Sequence, residues 1–291
     1  MSAYAYVAPT SITEVLTLLD DHVRTGRGTQ ILAGGTDVMV QMRGINREPR
    51  TIIDIKKLEE TNRFQIGPEH IYIGSAIPSA RMQENAELKK LYPGLLEAAD
   101  LIGSTQVQGR ATICGNLCNA SPAGDSIPAL IAAGALCDIA TPSGSRELTV
   151  EDFVTGVGQN ALADGEFLLG LKLRRPSGST KDAYLRFTPR TEMDIAVAGV
   201  AVSVTLEDSN CVAARVAIGA VATKALLVTQ AADAVIGTAL DDAALQRAGE
   251  ACQAAAQPIS DKRGSAIYRR KVVAVLCRRA LATARDRALG L

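Results

Sequence analysis

Thr112-Ile-Cys-Gly-Asn-Leu-Cys-Asn-Ala-Ser-Pro-Ala-Gly-Asp125 closes a longer tract, Ser104–Asp125, that is rich in Gly, Asn, Ser, Thr and Pro and has little periodicity. A compact domain rarely keeps so long an irregular segment unless it binds something. The segment offers hydroxyl and amide donors, and its glycines permit close backbone approach. Asp125, its one carboxylate, can accept from a hydroxyl or a ring N–H. An Ω-loop tied down by its own Asn and Ser side chains explains the same composition.

Working back toward the N-terminus, Gln30–Ala33 reads as a short buried strand that runs into Gly34-Gly35-Thr36-Asp37, after which Val38–Arg43 can open a helix. Glycines just past a strand let the backbone approach a phosphate, and a helix start adds free N–H groups and a positive dipole end. Thr36 can add a hydroxyl donor. A tight turn capped by Thr36 or Asp37 accounts for the motif equally well. It matches neither G-x-G-x-x-G nor G-x-x-x-x-G-K-[ST], so Rossmann and P-loop readings have no local support. Two such loops, with no His–Ser, His–Cys or paired-acid constellation, suggest a dinucleotide cofactor.

Composition narrows the remaining classes. The chain has 291 residues, 31 Lys+Arg against 31 Asp+Glu, two His, six Cys and no Trp. That length suggests two domains at roughly 100–200 residues each. A 47% apolar content excludes disorder. Balanced charge and few aromatics remove the usual nucleic-acid footprint. No apolar run approaches a membrane span, and Met1–Thr10 lacks the pattern of a signal peptide, so a cytoplasmic location is expected. The cysteines form no C-x-x-C, and Cys114 and Cys118 have no nearby His or second pair. They read as reduced, mostly buried small hydrophobes. His22 and His70 read as ordinary surface residues.

The rest of the chain implies mixed α/β order to about residue 176, followed by sheet and then helices. Helices are expected at 11–24, with Ser11 as cap and Glu14 at capping-box spacing, and at 79–91, 93–102 and 127–133. Strands are expected at 51–55, 136–141 and 167–173, with a hairpin turning at Gly67-Pro68. Pro176–Ser179 is the best candidate linker, dividing 1–176 from 177–291. Val200, Val202, Val204 and Leu206 alternate with smaller residues as in a half-buried strand, pairing across Asp208-Ser-Asn210 in a sheet of two or three strands. In the final helix Val273, Leu276, Cys277, Ala280, Leu281 and Ala284 share one face; Arg278, Arg279, Arg285 and Arg287 read as a solvated one.

Taken together, Ala33-Gly34-Gly35-Thr36-Asp37 and, about 75 residues on, Thr112-Ile113-x-Gly115-Asn116-x-x-Asn119-Ala120-Ser121-Pro122-x-x-Asp125 resemble the FAD-binding medium subunit of the molybdenum hydroxylases. That family includes xanthine dehydrogenase and aerobic carbon monoxide dehydrogenase. The resemblance continues through Glu166–Leu173, Arg190-x-x-x-Asp194-Ile195-Ala196, Arg263-Gly264 and Tyr268-Arg269. It implies an α+β fold: an FAD-binding domain of the vanillyl-alcohol oxidase (PCMH) type, with two α/β subdomains, then a C-terminal α+β domain with a small antiparallel sheet and helices.

Carried over by position, the resemblance places Leu32, Ala33, Gly34, Gly35, Thr36, Asp37 and Val38 around the FAD pyrophosphate. Thr112, Ile113, Cys114, Gly115, Asn116 and Asn119 would line the phosphate and flavin region. Asp125 would anchor a polar part of FAD, while Ile102 and Leu169 pack nearby. Arg186 falls where relatives often carry a Lys whose charge would stabilise reduced, anionic flavin. Relatives usually read Gly-Gly-Asn where this chain reads Cys114-Gly115-Asn116. If position 114 required positive φ, the Cβ would cost about 1 kcal/mol; the thiol is either tolerated or tunes the flavin.

The implied role is electron transfer. FAD would take electrons from a small [2Fe–2S] subunit, beside a large molybdenum-cofactor subunit, and pass them to NAD⁺, oxygen or a quinone. The implied assembly is a dimer of heterotrimers, with no metal on this chain. A scaffold subunit that has lost flavin is the alternative. A free-standing flavin oxidase is a third reading, disfavoured because such enzymes need a larger substrate domain.

Overall fold

The computed structural model describes residues 4–43, 50–190 and 193–291; residues 1–3 of the N-terminal stretch fall outside them. Among the described residues, four sheets carry the fold. Strands β1 (Tyr4–Val7), β2 (Gly28–Leu32) and β3 (Arg50–Asp54) form a parallel sheet in the order β1-β3-β2, with helices α1 (Ile12–Thr25) and α2 (Val38–Gln41) between them in sequence. The Ser11 side chain accepts the Glu14 N–H, and Glu14 accepts the Thr10 N–H at 2.7 Å, one residue ahead of the expected capping box. Val15 and Leu19 of α1 bury against Ile53, Ile55 and Leu58.

Next come β4 (Phe64–Ile66), β5 (His70–Gly74), and five helices: α3 (Ser79–Gln83), α4 (Ala86–Leu91), α5 (Pro93–Asp100), α6 (Thr105–Gln108) and α7 (Ile113–Asn119). Helix α8 (Ser126–Ala132), β6 (Leu136–Thr141), β7 (Gly144–Thr149), α9 (Val150–Phe153), β8 (Val154–Gly156), β9 (Gln159–Asn160) and β10 (Phe167–Arg174) follow. The second sheet is antiparallel, ordered β4-β5-β10-β6-β7, and β8 and β9 make a separate pair. Ile71, Ile73, Cys137, Ile139, Leu171 and Leu173 pack under the helices, whereas Ala140, Phe167 and Leu169 join the core around α1. This sheet therefore holds the two halves together.

Sequence periodicity misses three features here. The helix expected over 79–91 is two, because the Asn85 side chain accepts the Leu88 N–H and starts a new helix. The tract 104–125, expected to be irregular, contains α6 and α7; burial of Ile113, Cys114 and Leu117 outweighs the weak propensity of Gly115, Asn116 and Asn119. Strand β7 is polar, an edge strand with no apolar alternation to reveal it.

Beyond the turn at Ser177–Thr180, β11 (Thr180–Phe187), β12 (Ala198–Glu207), β13 (Asn210–Gly219) and β14 (Leu226–Leu227) form an antiparallel sheet of four strands rather than two or three. Asp208 and Ser209 have φ of 46° and 68°, the left-handed pair that a two-residue hairpin demands. Helices α10 (Thr229–Asp233), α11 (Asp242–Ala255) and α12 (Ala266–Leu289) complete the chain. The Val200, Val202 and Val204 face packs on α12, with α11 against α12 in the same core; Tyr184, Ala201 and Ala217 on the opposite face join the core of α5 and α8. The six predicted core positions of α12 are all buried. Arg287 is not solvated as expected, however: it ion-pairs with Glu97 and donates to the Asp182 carbonyl at 2.7 Å. The sheet is thus a middle layer, buried on both faces.

Candidate functional site: a cleft between two glycine-bearing loops

The first loop leaves β2 and reverses at Gly35, whose φ is +80°. A Cβ on Gly34 would lie 2.1 Å from the Arg110 carbonyl oxygen, so glycine is required where this loop touches the second one. Asp37 holds the N-cap position of α2 but makes no side-chain cap bond, so capping does not explain the motif. The loop is held from behind: Lys56 Nζ donates to the Ala33 carbonyl at 3.2 Å and to Asp54 Oδ1 at 2.7 Å, and Tyr6 OH donates to Asp54 Oδ2 at 2.6 Å. Burial pushes the Asp54 carboxyl up, but the hydrogen bonds from Lys56 and Tyr6 outweigh it and hold it below the usual range.

The second loop is built on α7. Thr112 Oγ1 accepts the Gly115 N–H at 2.9 Å, and Ala120, with φ of 49°, ends the helix. Gly158 N–H donates to the Ala120 carbonyl at 3.0 Å, and Asn160 Nδ2 to the Cys118 carbonyl at 3.0 Å. Asn116 Oδ1 accepts from Ser126 Oγ at 2.8 Å. Cys114 is helical, so a side chain there carries no positive-φ strain. Burial, reinforced by neighbouring Cys118 and Cys137, pushes its thiol well above the ordinary range, and it stays protonated.

Between the loops lies a cavity of about 400 Å³. Ala33, Gly34, Gly35, Thr36, Asp37 and Val38 line one side; Ile102, Thr112, Cys114, Gly115, Asn116 and Asn119 line another. The remaining expected residues stand off it. Leu32 ends β2, Ile113 is wholly buried in the helical core, and Leu169 packs toward α1. Leu168 takes the lining position instead, because β10 shifts register between Leu168 and Gly170. Ser75, Ala111, Leu162 and Phe167 also line the cavity, and no local sequence signal marks them. The Ser75 hydroxyl is buried without a partner.

Asp125 and Arg186 turn toward each other rather than into the cavity. Arg186 Nη1 donates to Asp125 Oδ2 and Tyr184 OH to Asp125 Oδ1, both at 2.7 Å, so both carboxylate oxygens are occupied. Burial pushes the Asp125 carboxyl up, against the opposing Tyr184 hydrogen bond and Arg186 charge. The Arg186 charge is thereby offset. Each loop thus rests on a Tyr–Asp–cation group, exposed at Tyr6 and buried at Tyr184.

Donors and close backbone from both loops, apolar Ile102, Leu162, Phe167 and Leu168, and the unpartnered Ser75 hydroxyl suit a cofactor with polar linkage and a flat apolar ring. Among the described residues no cluster of His, Cys, Asp or Glu could hold a metal ion, and no helix is long and apolar enough to cross a membrane.

The family described as the FAD binding domain in molybdopterin dehydrogenase matches residues 2–175. The chain belongs to the FAD-binding subunits of the molybdenum hydroxylases. A second family, the CO dehydrogenase flavoprotein C-terminal domain, matches residues 183–284 of this FAD subunit. The subunit is 31% identical to the carbon monoxide dehydrogenase medium chain of Afipia carboxidovorans, over 98% of both chains. It is 26% identical to the xanthine dehydrogenase FAD-binding subunit of Escherichia coli O157:H7, over 96% of this chain and 95% of that one. Its structure resembles a chain of reconstituted CO dehydrogenase from Oligotropha carboxidovorans, with a TM-score of 0.91 and 28% identity, over 98% of this chain and 99% of the other.

Proposed function

We propose that this subunit binds FAD between its two glycine-bearing loops and passes electrons from a [2Fe–2S] subunit to an external acceptor. A molybdenum-cofactor subunit would oxidise the substrate within a cytoplasmic dimer of heterotrimers. The carrying observation is that Ala33–Val38 and, far away in sequence, Thr112, Cys114, Gly115, Asn116 and Asn119 face one cavity. When bound, FAD supplies the redox chemistry. The chain's own residues bind and orient it. Thr36, Thr112, Asn116 and Asn119 offer hydroxyl and amide groups, Gly34, Gly35 and Gly115 permit close approach, and Ile102 and Leu168 bury apolar surface. Residues 1–176 would form the FAD-binding domain and 177–291 its C-terminal domain.

Co-purification from the native source, with flavin, iron and molybdenum quantified, tests this reading. Near one FAD per chain, with iron–sulfur and molybdenum chains attached, is expected. Colourless protein that still carries those partners would instead establish a scaffold subunit, and FAD-loaded protein without an iron–sulfur partner would overturn the electron path.

A further inference from the structure

The chain's C-terminal sheet reaches the cofactor loop through one buried side-chain group. Tyr184 and Arg186, neighbours on the same face of β11, supply both hydrogen bonds to Asp125, at 2.7 Å each. All three residues are largely withdrawn from solvent: Tyr184 is 3% exposed and Asp125 8%. Space for the phenol is kept by Gly199 on the paired strand, where a Cβ would lie 2.6 Å from the Tyr184 oxygen. Asp125 stands immediately before Ser126, whose hydroxyl donates to Asn116 Oδ1 at 2.8 Å, and Asn116 lines the cavity. A second tether comes from just past the end of β13, where the Ala220 N–H donates to the Pro122 carbonyl at 2.8 Å.

We infer that Tyr184 is a positioning residue for FAD: through Asp125 and Ser126 it holds Asn116 and the 120–125 turn in the conformation that receives the cofactor. This rests on the FAD site proposed above and goes beyond it. Neither Tyr184 nor Asp125 lines the cavity, and the Asp125 carboxylate faces Tyr184 and Arg186, so it acts by fixing the loop rather than by touching FAD. A buried carboxylate left with one partner would draw its loop toward water or another donor, so losing one hydroxyl moves the cavity wall.

The test uses the full chain stripped of FAD and titrated with FAD, reading flavin fluorescence and the resolution of the visible flavin bands. Tyr184→Phe removes only the hydroxyl. It is expected to raise the FAD Kd about tenfold (roughly 1.4 kcal/mol) and to alter the bands. Val273→Ala, on the far side of the sheet in the α12 core, provides a variant destabilised without touching the network; its Kd should stay within about twofold of the unaltered chain. If Tyr184→Phe does not fold, Gly199→Ala displaces the phenol instead and should raise Kd likewise. A Kd unchanged in the Tyr184→Phe and Gly199→Ala variants overturns the inference, as does an equal rise in Val273→Ala. Failure of the unaltered chain to take up FAD would overturn the site itself, and the inference with it.

Discussion

Gly34→Ala inserts one methyl group where the two cavity loops touch. The new Cβ would stand 2.1 Å from the Arg110 carbonyl oxygen, 2.9 Å from its carbon and 3.1 Å from the Ala111 Cα. All three are backbone atoms, so no rotamer change relieves the contact, and the loops must part by about 1 Å. Overpacking of this kind costs about 1–3 kcal/mol, a Tm loss of roughly 2–5 °C for a chain of this size. The displaced segments are the cavity walls, so FAD should bind at least about tenfold more weakly (roughly 1.4 kcal/mol). Differential scanning fluorimetry and FAD titration read both effects. Gly178→Ala, where a Cβ meets nothing within 4 Å, should change neither. Wild-type Tm and FAD affinity in Gly34→Ala would refute the claim that glycine is needed for loop contact.

Two further outcomes follow from the buried polar groups. Asp182 accepts the Gly94 and Leu95 N–H groups at 2.9 Å each, and burial raises its carboxyl from 3.8 to about 6, against the lowering effect of those bonds. The folded state therefore holds this proton more tightly than the unfolded chain, and its contribution to stability falls as pH rises from about 4 to 6. Between pH 7 and pH 5 that is a gain on the order of 1 kcal/mol. Urea unfolding at the two pH values should show it in the wild type and not in Asp182→Asn; equal pH dependence in both would rule it out. Cys114→Gly should retain FAD, because the position is helical and its side chain fills rather than strains the wall. It should also shift the flavin reduction potential, and an unchanged potential in spectroelectrochemical titration would reject a tuning role for the thiol.

Local sequence carries the loops but not their mutual placement. Ser11 and Glu14 announce α1, and apolar alternation announces β12, because capping and periodicity act within a few residues. Helix α7 is not legible locally, because its Gly and Asn content resembles a loop and only burial of Ile113, Cys114 and Leu117 makes it helical. Leu168 rather than Leu169 faces the cavity because of a register shift in β10, which no pattern along the strand records. The arginines of α12 read as any solvated helix face would, yet Arg287 pairs across to Glu97.

By itself the sequence determined the family, the two glycine-bearing loops and most elements, since these depend on residue type and short-range spacing. Tertiary structure decided which residues meet. It made Gly34 a point of loop contact, left the Ser75 hydroxyl beside the cavity, and turned Asp125 and Arg186 into a buried pair with Tyr184. The physical reason is burial: a charge or hydroxyl removed from water takes the nearest partner the packed chain offers, and that partner can lie far away in sequence.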